Sequence, residues 1–440
     1  MLTALGVAMI VSFIALIMTQ RLTALVALVL VPLAFGLVAL ALGLVAAPAS
    51  GHGAGLGPMA MAGISKLAPT VVLLLFAVLY FCTMIDAGLF DPLVRRVVRI
   101  VGGDPLRVTL GTTVVVLLLS LDGDGASTAL VTVGAFLPIY RRLGMNPLIL
   151  ALLLGAGNGI VNLTPWGGPT GRVAAALQLD PADVFLPLVP TMLAGMLATL
   201  GVAWYLGAQE RRRLGVVAIE GPVEDFAVGF ERDAGVTRPR MVVVNLLLTV
   251  AVLATGFSKL LPLPMAFMVG YAVAMLINYP RLDQQRARLA AHAAHALPIV
   301  TLILGAGVFT GILTGTGMID AMAKTAAGAI PSAYGPWLAW ITAVLSGPLT
   351  FMLPNDAYYF AVVPLVAQTA AEFGIPAVEI ARASLLGQLL HTFSPLLAAI
   401  YLVAGLLRVE VGEMQRFGLK WALLLTAVLI VTAIATRAIT

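Results

Sequence analysis

Three aspartates lie beside glycine or proline inside apolar stretches, where a carboxylate costs free energy and usually serves a function. Asp122 and Asp124 alternate with glycines, and Asp356 follows Pro354-Asn355. Such acids can carry protons or contact a cation, although capping of a helix N-terminus is the structural alternative. The Asp-x-Asp spacing is similar to the start of an EF-hand loop. The later positions exclude that loop, because the sixth is Ser127 instead of glycine and the twelfth is Val133 instead of glutamate.

Polar residues and helix breakers also interrupt the apolar stretch at 158–171. Two prolines and four glycines in this run are incompatible with a continuous helix. Unwound backbone is tolerated within a membrane only where it lines a cavity. The side chains of Asn158, Asn162, Thr164 and Thr170 would then offer neutral donors and acceptors, although a simple kink is the alternative.

Arg172 follows this interruption on the same predicted helix. Its guanidinium could bind a substrate carboxylate in a bidentate manner. The alternatives are that it extends toward the outer membrane interface or pairs with an acidic loop residue.

A second interruption repeats the spacing of the first. Gly157-Asn158 precedes Thr164-Pro165 by the same distance as Gly387-Gln388 precedes Ser394-Pro395. His391 lies within the second run, where an imidazole suits proton transfer or contact with a metal–substrate complex. A structural hydrogen bond from His391 to a backbone carbonyl is the alternative.

These groups together suit an anionic, carboxylated solute that travels with cations, because helix N-termini, hydroxyls and amides accompany three acids. The cations would be protons on Asp122, Asp124 and Asp356, or a metal that these acids contact together with the substrate. The predicted substrate-binding residues are Gly123, Ser127, Thr128, Asn158, Asn162, Thr164, Gly168, Thr170, Arg172, Asn355, Gln388, His391, Thr392 and Ser394.

The composition predicts an all-α polytopic membrane protein. The chain has 440 residues, of which 61% are hydrophobic and 10% charged, with mean hydropathy +1.05. A β-barrel would instead alternate apolar and polar residues. The single cysteine, Cys82, excludes an internal disulfide, and four histidines are too few for a His-rich metal site. The net charge of +5 does not indicate nucleic-acid binding, because the basic residues are scattered between apolar stretches.

The apolar stretches predict two repeats of five spans, since a spanning helix needs about 20 residues. The predicted spans are 2–19, 22–45, 67–88, 146–178 (interrupted) and 183–207, then 240–258, 262–279, 294–317, 376–408 (interrupted) and 415–437. Two further stretches, 105–141 and 334–361, have polar tips. From Val108 to Leu121 a helix rises only about 21 Å at 1.5 Å per residue, so we expect re-entrant hairpins.

The distribution of charge predicts how the repeats are oriented. With five crossings per repeat, only Lys66, Arg172, Lys259, Lys324, Arg382 and Arg437 of the 25 basic residues fall on one side. The positive-inside rule places the other side in the cytoplasm and both termini outside. Residues 1–207 and 240–440 are then inverted repeats, joined by a cytoplasmic linker at 208–239.

The chain resembles the citrate–divalent metal–proton symporter family of the ion transporter superfamily over nearly its whole length. The segments that carry the resemblance are Ile17-Met18-Thr19-Gln20-Arg21-Leu22, Leu121-Asp122-Gly123-Asp124-Gly125, Pro165-Trp166-Gly167-Gly168, the glycine-rich run 307–315, Leu353-Pro354-Asn355-Asp356-Ala357-Tyr358, and the spacing of Gly387-Gln388, His391 and Ser394-Pro395.

The resemblance implies a plasma-membrane secondary transporter, not an enzyme, that imports citrate complexed to a divalent metal of the Mg or Ca class with protons. It also implies a homodimer with an elevator-like moving domain and no permanently bound cofactor. Sodium-coupled members of the superfamily carry Ser-Asn-Thr at the hairpin tips, which differ here. The alternatives are a proton- or sodium-coupled carrier of another di- or tricarboxylate, a channel, and an intramembrane aspartyl protease, whose motif would require glycine at Leu121.

Overall fold

Helices form all of the regular secondary structure that the computed structural model describes, in residues 1–45, 55–123, 125–216 and 235–440. Asp124 and most of the predicted linker, 217–234, lie outside these ranges, and so does the side chain of Asp122. Within the described residues no strand is present, which confirms the predicted all-helical class.

Six helical segments in this part of the chain are long and apolar enough to cross a membrane. They are Ala24–Ala41, Leu56–Asp86, Pro181–Leu214, Pro239–Phe257, Leu282–Gly315 and Val411–Ala435. Large apolar side chains face outward from several of them, including Leu197, Leu247 and Val431. Contiguous exposed apolar surface is unfavourable in water and favourable in lipid. The chain is therefore a multi-pass membrane protein.

Similar helix lengths occur in the same order in the two halves of the chain. The first half contains Leu2–Met18 (α1), Ala24–Ala41 (α2), Leu56–Asp86 (α3), Asp91–Val101 (α4), Pro105–Leu119 (α5), Gly125–Leu143 (α6), Pro147–Val161 (α7), Gly168–Leu177 (α8), Pro181–Phe185 (α9) and Val189–Leu214 (α10). The second contains Val242–Phe257 (α11), Leu263–Asn278 (α12), Leu282–Gly315 (α13), Met318–Ala329 (α14), Leu338–Met352 (α15), Asn355–Ala357 (α16), Val363–Ala371 (α17), Ala377–Leu385 (α18), Gln388–His391 (α19), Ala398–Leu407 (α20) and Val411–Ala435 (α21).

Several predicted boundaries were wrong because they were drawn from apolarity alone. The spans placed at 67–88 and 294–317 begin at Leu56 and Leu282, and continue through Pro69 and Pro298. The hairpin placed at 334–361 extends through a π-helical turn, Tyr358–Val362, to Ala371. The linker placed at 208–239 begins later, because α10 continues to Leu214 with three arginines in its last turn, where cations favour the helix dipole.

Two amphipathic helices, α4 and α14, were not predicted. Each follows a long helix after a glycine in the left-handed region, Gly88 with φ 83° and Gly317 with φ 71°. In α4 the buried side chains are Val94, Val98 and Val101, which recur at helical spacing. Charged residues between these valines lower the local hydropathy, so apolarity alone does not predict this helix.

In the first half, the helices α5 and α7 each begin with an N-cap side chain followed by a proline. Asp104 accepts a hydrogen bond from the Leu106 amide at 3.0 Å, and Asn146 accepts one from the Leu148 amide at 2.9 Å. In each case proline occupies the first helical position, where its missing N–H costs nothing. The Asp-Pro and Asn-Pro dipeptides thus fix where the first hairpin (α5 and α6, 105–143) and the interrupted helix α7–α8 begin.

Buried apolar side chains form two large clusters. One is built from the hairpins, the interrupted helices, α10 and α21, and includes Ile160, Leu389 and Phe393. The other is built mainly from α1–α3, α12 and α13, and includes Phe13 and Phe309, whose ring centroids are 4.9 Å apart. Two groups of helices therefore pack within themselves and meet along α8 and the second hairpin.

Helices α3 and α13 approach each other through glycines. A Cβ atom added at Gly63 would overlap the Gly307 carbonyl oxygen and lie 2.8 Å from the Gly311 Cα. Small residues allow this close packing in membranes, where helix association depends on van der Waals contact.

We expect Gly63→Ala to lower the free energy of unfolding by about 1–3 kcal/mol, because the added methyl group meets backbone that cannot rotate away. Gly57→Ala is the matched control: it lies on the same helix, and a Cβ there has no neighbour within 4 Å. Thermal unfolding in detergent should show a lower Tm for Gly63→Ala alone. Equal Tm values for both variants would contradict the packing of α3 on α13.

Candidate functional site

The first interrupted helix opens at 162–167, between α7 and α8, and we call this segment the first break. The Asn162 amide donates to the Asn158 Oδ1 at 2.8 Å, and the Thr170 hydroxyl donates to the Leu163 carbonyl at 3.0 Å. A Cβ at Gly167 would overlap the Asn162 carbonyl oxygen. The Thr170 side chain therefore satisfies part of the freed backbone, and glycine at position 167 permits the tight turn.

The tip of the first hairpin lies against the first break. The Trp166 indole N–H donates to the Leu121 carbonyl at 2.8 Å. A Cβ at Gly125 would lie 3.3 Å from Asn158 Oδ1, and one at Gly123, where φ is 76°, would lie 3.5 Å from the Trp166 carbonyl oxygen. The structure thus places Gly123 of the predicted site against Trp166, and Gly125 against Asn158.

Several buried polar atoms at this junction have no hydrogen-bond partner among the described residues. They are the hydroxyls of Ser120, Thr128 and Thr164, the Asn158 Nδ2 and the Asn162 Oδ1. Buried polar groups are nearly always hydrogen-bonded, so an unpartnered cluster indicates a polar ligand or a group outside the described part. Ser127, another predicted site residue, lies with Thr128 on the first turn of α6 and is half-buried.

The second interrupted helix opens at 392–397, the second break, and is fastened to the end of α15. His391 Nδ1 lies 2.6 Å from the Thr350 carbonyl oxygen, so this nitrogen carries the proton and Nε2 is the acceptor in the neutral ring. The Ser394 hydroxyl donates to the Phe351 carbonyl at 2.7 Å. Both side chains therefore hold the second break against the second hairpin.

The tip of the second hairpin is joined to α19 by a network of neutral side chains. The Gln388 amide donates to Tyr359 Oη at 2.6 Å and to Asn355 Oδ1 at 3.2 Å. Tyr359 donates to the Ser384 carbonyl at 3.4 Å. Sequence reasoning selected Asn355 and Gln388 but missed Tyr359 as a site residue, because a buried aromatic in an apolar helix carries no signal of its polar contact.

An ion pair connects the two halves at the site. Arg172 Nε of α8 lies 2.7 Å from Asp356 Oδ1 at the tip of the second hairpin, and the side chains are 20% and 22% exposed. A Cβ at Gly168 would lie 2.9 Å from Arg172 Nη1, so the glycine leaves room for the guanidinium. Among the alternatives for Arg172, the structure shows a pair with an acidic residue. That residue, Asp356, lies at a hairpin tip.

The two interrupted helices also meet directly. Cβ atoms at Gly155 and Gly159 of α7 would each lie 3.1 Å from a side chain at the second break, namely Phe393 and Thr392. Gly125, Asn158 and Thr392 line a small cavity there, together with mostly apolar residues. The Thr392 hydroxyl donates to the Leu389 carbonyl at 2.7 Å.

The described residues contain no group of three or more His, Cys, Asp or Glu side chains placed to hold a metal ion. The side chains of Asp122 and Asp124 lie outside the described part of the chain, so their metal contact stays a prediction. The described part of the site contains neutral donors and acceptors beside one ion pair, in which the two charges cancel.

Comparison with known proteins shows that the chain is similar to transporters. A family model described as citrate transporter (CitMHS) matches residues 3–387. The chain is 48% identical to a protein of Bacillus subtilis strain 168 named citrate transporter, over 99% of this chain and 98% of that protein. It is 44% identical to another protein of that strain named Mg(2+)/citrate complex secondary transporter, over 99% and 98% of the two chains.

A solved structure shares the fold. The YdaH transporter of Alcanivorax borkumensis superposes with a TM-score of 0.62 over 98% of this chain and 97% of that chain. The sequence identity is 15%, so the likeness concerns the fold alone.

Proposed function

Because the chain belongs to the citrate transporter family, we propose that it imports citrate as a complex with a divalent metal ion, together with protons. The observation that carries the proposal is the cluster of unpartnered hydroxyl and amide groups at the first hairpin tip and first break. The relative named Mg(2+)/citrate complex secondary transporter supports a metal complex as the substrate.

The charge of the site favours a complex over free citrate. Arg172, the cation at the junction of the described site, is already paired with Asp356. Free citrate carries about three negative charges, and burying them without compensation would cost far more than burying the roughly single charge of a metal(II) complex. A neutral set of donors and acceptors therefore suits the complex.

The metal is part of the substrate in this proposal, and no permanently bound cofactor is needed. Mg²⁺ and Ca²⁺ prefer oxygen ligands, several of which citrate would supply. Asp122, Asp124 and Asp356 are proposed to carry protons. Asp122 and Asp124, which alternate with glycines in the sequence, are also proposed to contribute oxygens to the metal.

Uptake of labelled citrate into proteoliposomes tests the proposal. We expect rapid uptake with added Mg²⁺ or Ca²⁺ and at least a tenfold loss when excess chelator removes the metal. Competition by unlabelled isocitrate, malate and succinate will distinguish citrate from related di- and tricarboxylates. Undiminished uptake in chelator would contradict a metal complex as the substrate.

The two packing clusters support an elevator motion, in which the hairpins and interrupted helices move past α1–α3 and α11–α13. We further propose inverted repeats, both termini outside the cell, and a C2 homodimer formed through the static group. Along the contact between the two groups, a Cβ at Gly171 of α8 would lie 2.7 Å from the Leu74 side chain of α3.

Crosslinking at that contact tests the motion. A Leu74→Cys and Gly171→Cys pair, in a Cys82→Ser background, is expected to stop transport when oxidised and to recover it on reduction. The same pair left reduced is the control. Full crosslinking with unchanged transport would contradict the elevator proposal.

A further inference from the structure

The ion pair between Arg172 and Asp356 leaves most of the guanidinium available. Within the described residues, Arg172 donates through Nε to Asp356, and the structure records no hydrogen bond from its Nη1 or Nη2. Both side chains retain about a fifth of their exposure, so solvent and a solute can reach them. Arginine binds carboxylates best through two parallel N–H donors, which this geometry leaves partly unused.

From this geometry we propose that protonation of Asp356 releases Arg172 to bind a carboxylate of the citrate complex. The inference rests on the proposed function and names the residue pair that couples the proton to the substrate. In the resting state the charges of Arg172 and Asp356 cancel. In the loaded state Asp356 is neutral, and Arg172 balances the roughly single negative charge of a metal(II)–citrate complex.

The exchange is favourable because one anion compensates the positive charge of Arg172 both before and after it. An isolated guanidinium that is only about 20% exposed would be costly, so Arg172 is expected to hold one anionic partner at all times. One proton enters with one complex, and loss of the proton restores the carboxylate that displaces the substrate. An inward proton gradient would therefore favour binding outside and release inside.

In the described part of the site, Asp356 is the carboxylate that lies close enough to pair with Arg172. The tip of the second hairpin packs against α1, which has no charged residue, and against the turn containing Tyr358 and Tyr359. His391 is the nearby titratable group on α19, and its Nδ1 is held by the Thr350 carbonyl.

The charged side chains on the helices that pack against α8 have other contacts or are exposed. Those of α13 lie in its first four turns, at 283–295. Asp86 pairs with Arg288 and His292, and Asp183 pairs with Lys259. Glu379 accepts a hydrogen bond from Thr440, and Arg382 donates to the Asp183 and Ala438 carbonyls. Lys66 is exposed.

Calorimetric titration of the purified protein with Mg–citrate tests the exchange. Measurements in two buffers of different ionisation enthalpy give the number of protons taken up on binding. For the native protein we expect uptake approaching one proton, and an affinity that falls about tenfold per pH unit over the range in which this proton is taken up on binding. Asp356→Asn should bind Mg–citrate with no such uptake and little dependence on pH, and Arg172→Gln should bind at least tenfold more weakly.

Asp320→Asn is the matched control, because Asp320 is an exposed acid on α14 that accepts a hydrogen bond from Gln368. It should behave as the native protein does. Proton uptake that is unchanged in Asp356→Asn would overturn the exchange while leaving citrate transport intact. Absence of Mg–citrate binding by the native protein at every pH would instead contradict the proposed function.

Discussion

Replacing Gly167 by alanine is expected to abolish citrate uptake while leaving the protein folded in the membrane. A Cβ at this position would overlap the Asn162 carbonyl oxygen, and backbone cannot move aside as a flexible side chain can. The backbone angles of Gly167, φ −64° and ψ 144°, suit any residue, so the effect is steric. Initial rates of uptake in proteoliposomes should fall at least tenfold.

Gly405→Ala is the control for this experiment. Gly405 lies within α20, after the second break, and a Cβ there has no neighbour within 4 Å. Both variants should elute as folded protein in size-exclusion chromatography. Native uptake by Gly167→Ala would show that the tight turn of the first break is not needed for transport.

An inward proton gradient is expected to drive accumulation of citrate in the absence of sodium. In the sequence, Asp122 and Asp124 belong to the polar run that predicts the tip of the first hairpin, and Asp356 belongs to the run that predicts the second tip. Protonated acids can enter the membrane at low cost, whereas ionised acids require a partner. Accumulation with Mg²⁺ present should exceed the no-gradient level at least tenfold, and a protonophore should remove the difference.

Asparagine variants at the three positions identify the proton carrier. At least one should lose gradient-driven accumulation while still exchanging labelled for unlabelled citrate, because asparagine keeps the volume of aspartate and removes its charge. A variant that also loses exchange would mark a contact with the substrate or its metal. Uptake that requires sodium and ignores the proton gradient would refute proton coupling.

The elements that hold the site could be predicted because breakers and buried polar residues are strong local signals. The glycines and prolines at 158–171 and the polar, proline-containing run at 387–395 predict interruptions, and the helices α7–α8 and α19–α20 are interrupted there. Short apolar stretches with polar tips predict helical hairpins, and α5 packs against α6 while α15 packs against α17. Helix boundaries were less predictable, since α13 begins with a polar segment that hydropathy does not detect.

Contacts between distant parts of the chain could not be predicted. Nothing in the local sequence of Arg172 identifies Asp356 as its partner, because the two residues are brought together by the packing of α8 on the second hairpin. The same applies to the bonds from Gln388 to Tyr359 and from Trp166 to the Leu121 carbonyl. Residue types indicate what a site can contain, and tertiary packing decides which groups remain available for a ligand.

Double-label transport tests the central claim most directly. Proteoliposomes that contain the protein would be given ¹⁴C-citrate and ⁴⁵Ca²⁺ together, and both labels would be counted in the same vesicles over time. Entry of citrate and calcium in a constant ratio, with each label dependent on the presence of the other, is the result expected for transport of the complex. Entry of citrate without calcium, at the same rate in chelator as in its absence, would contradict it.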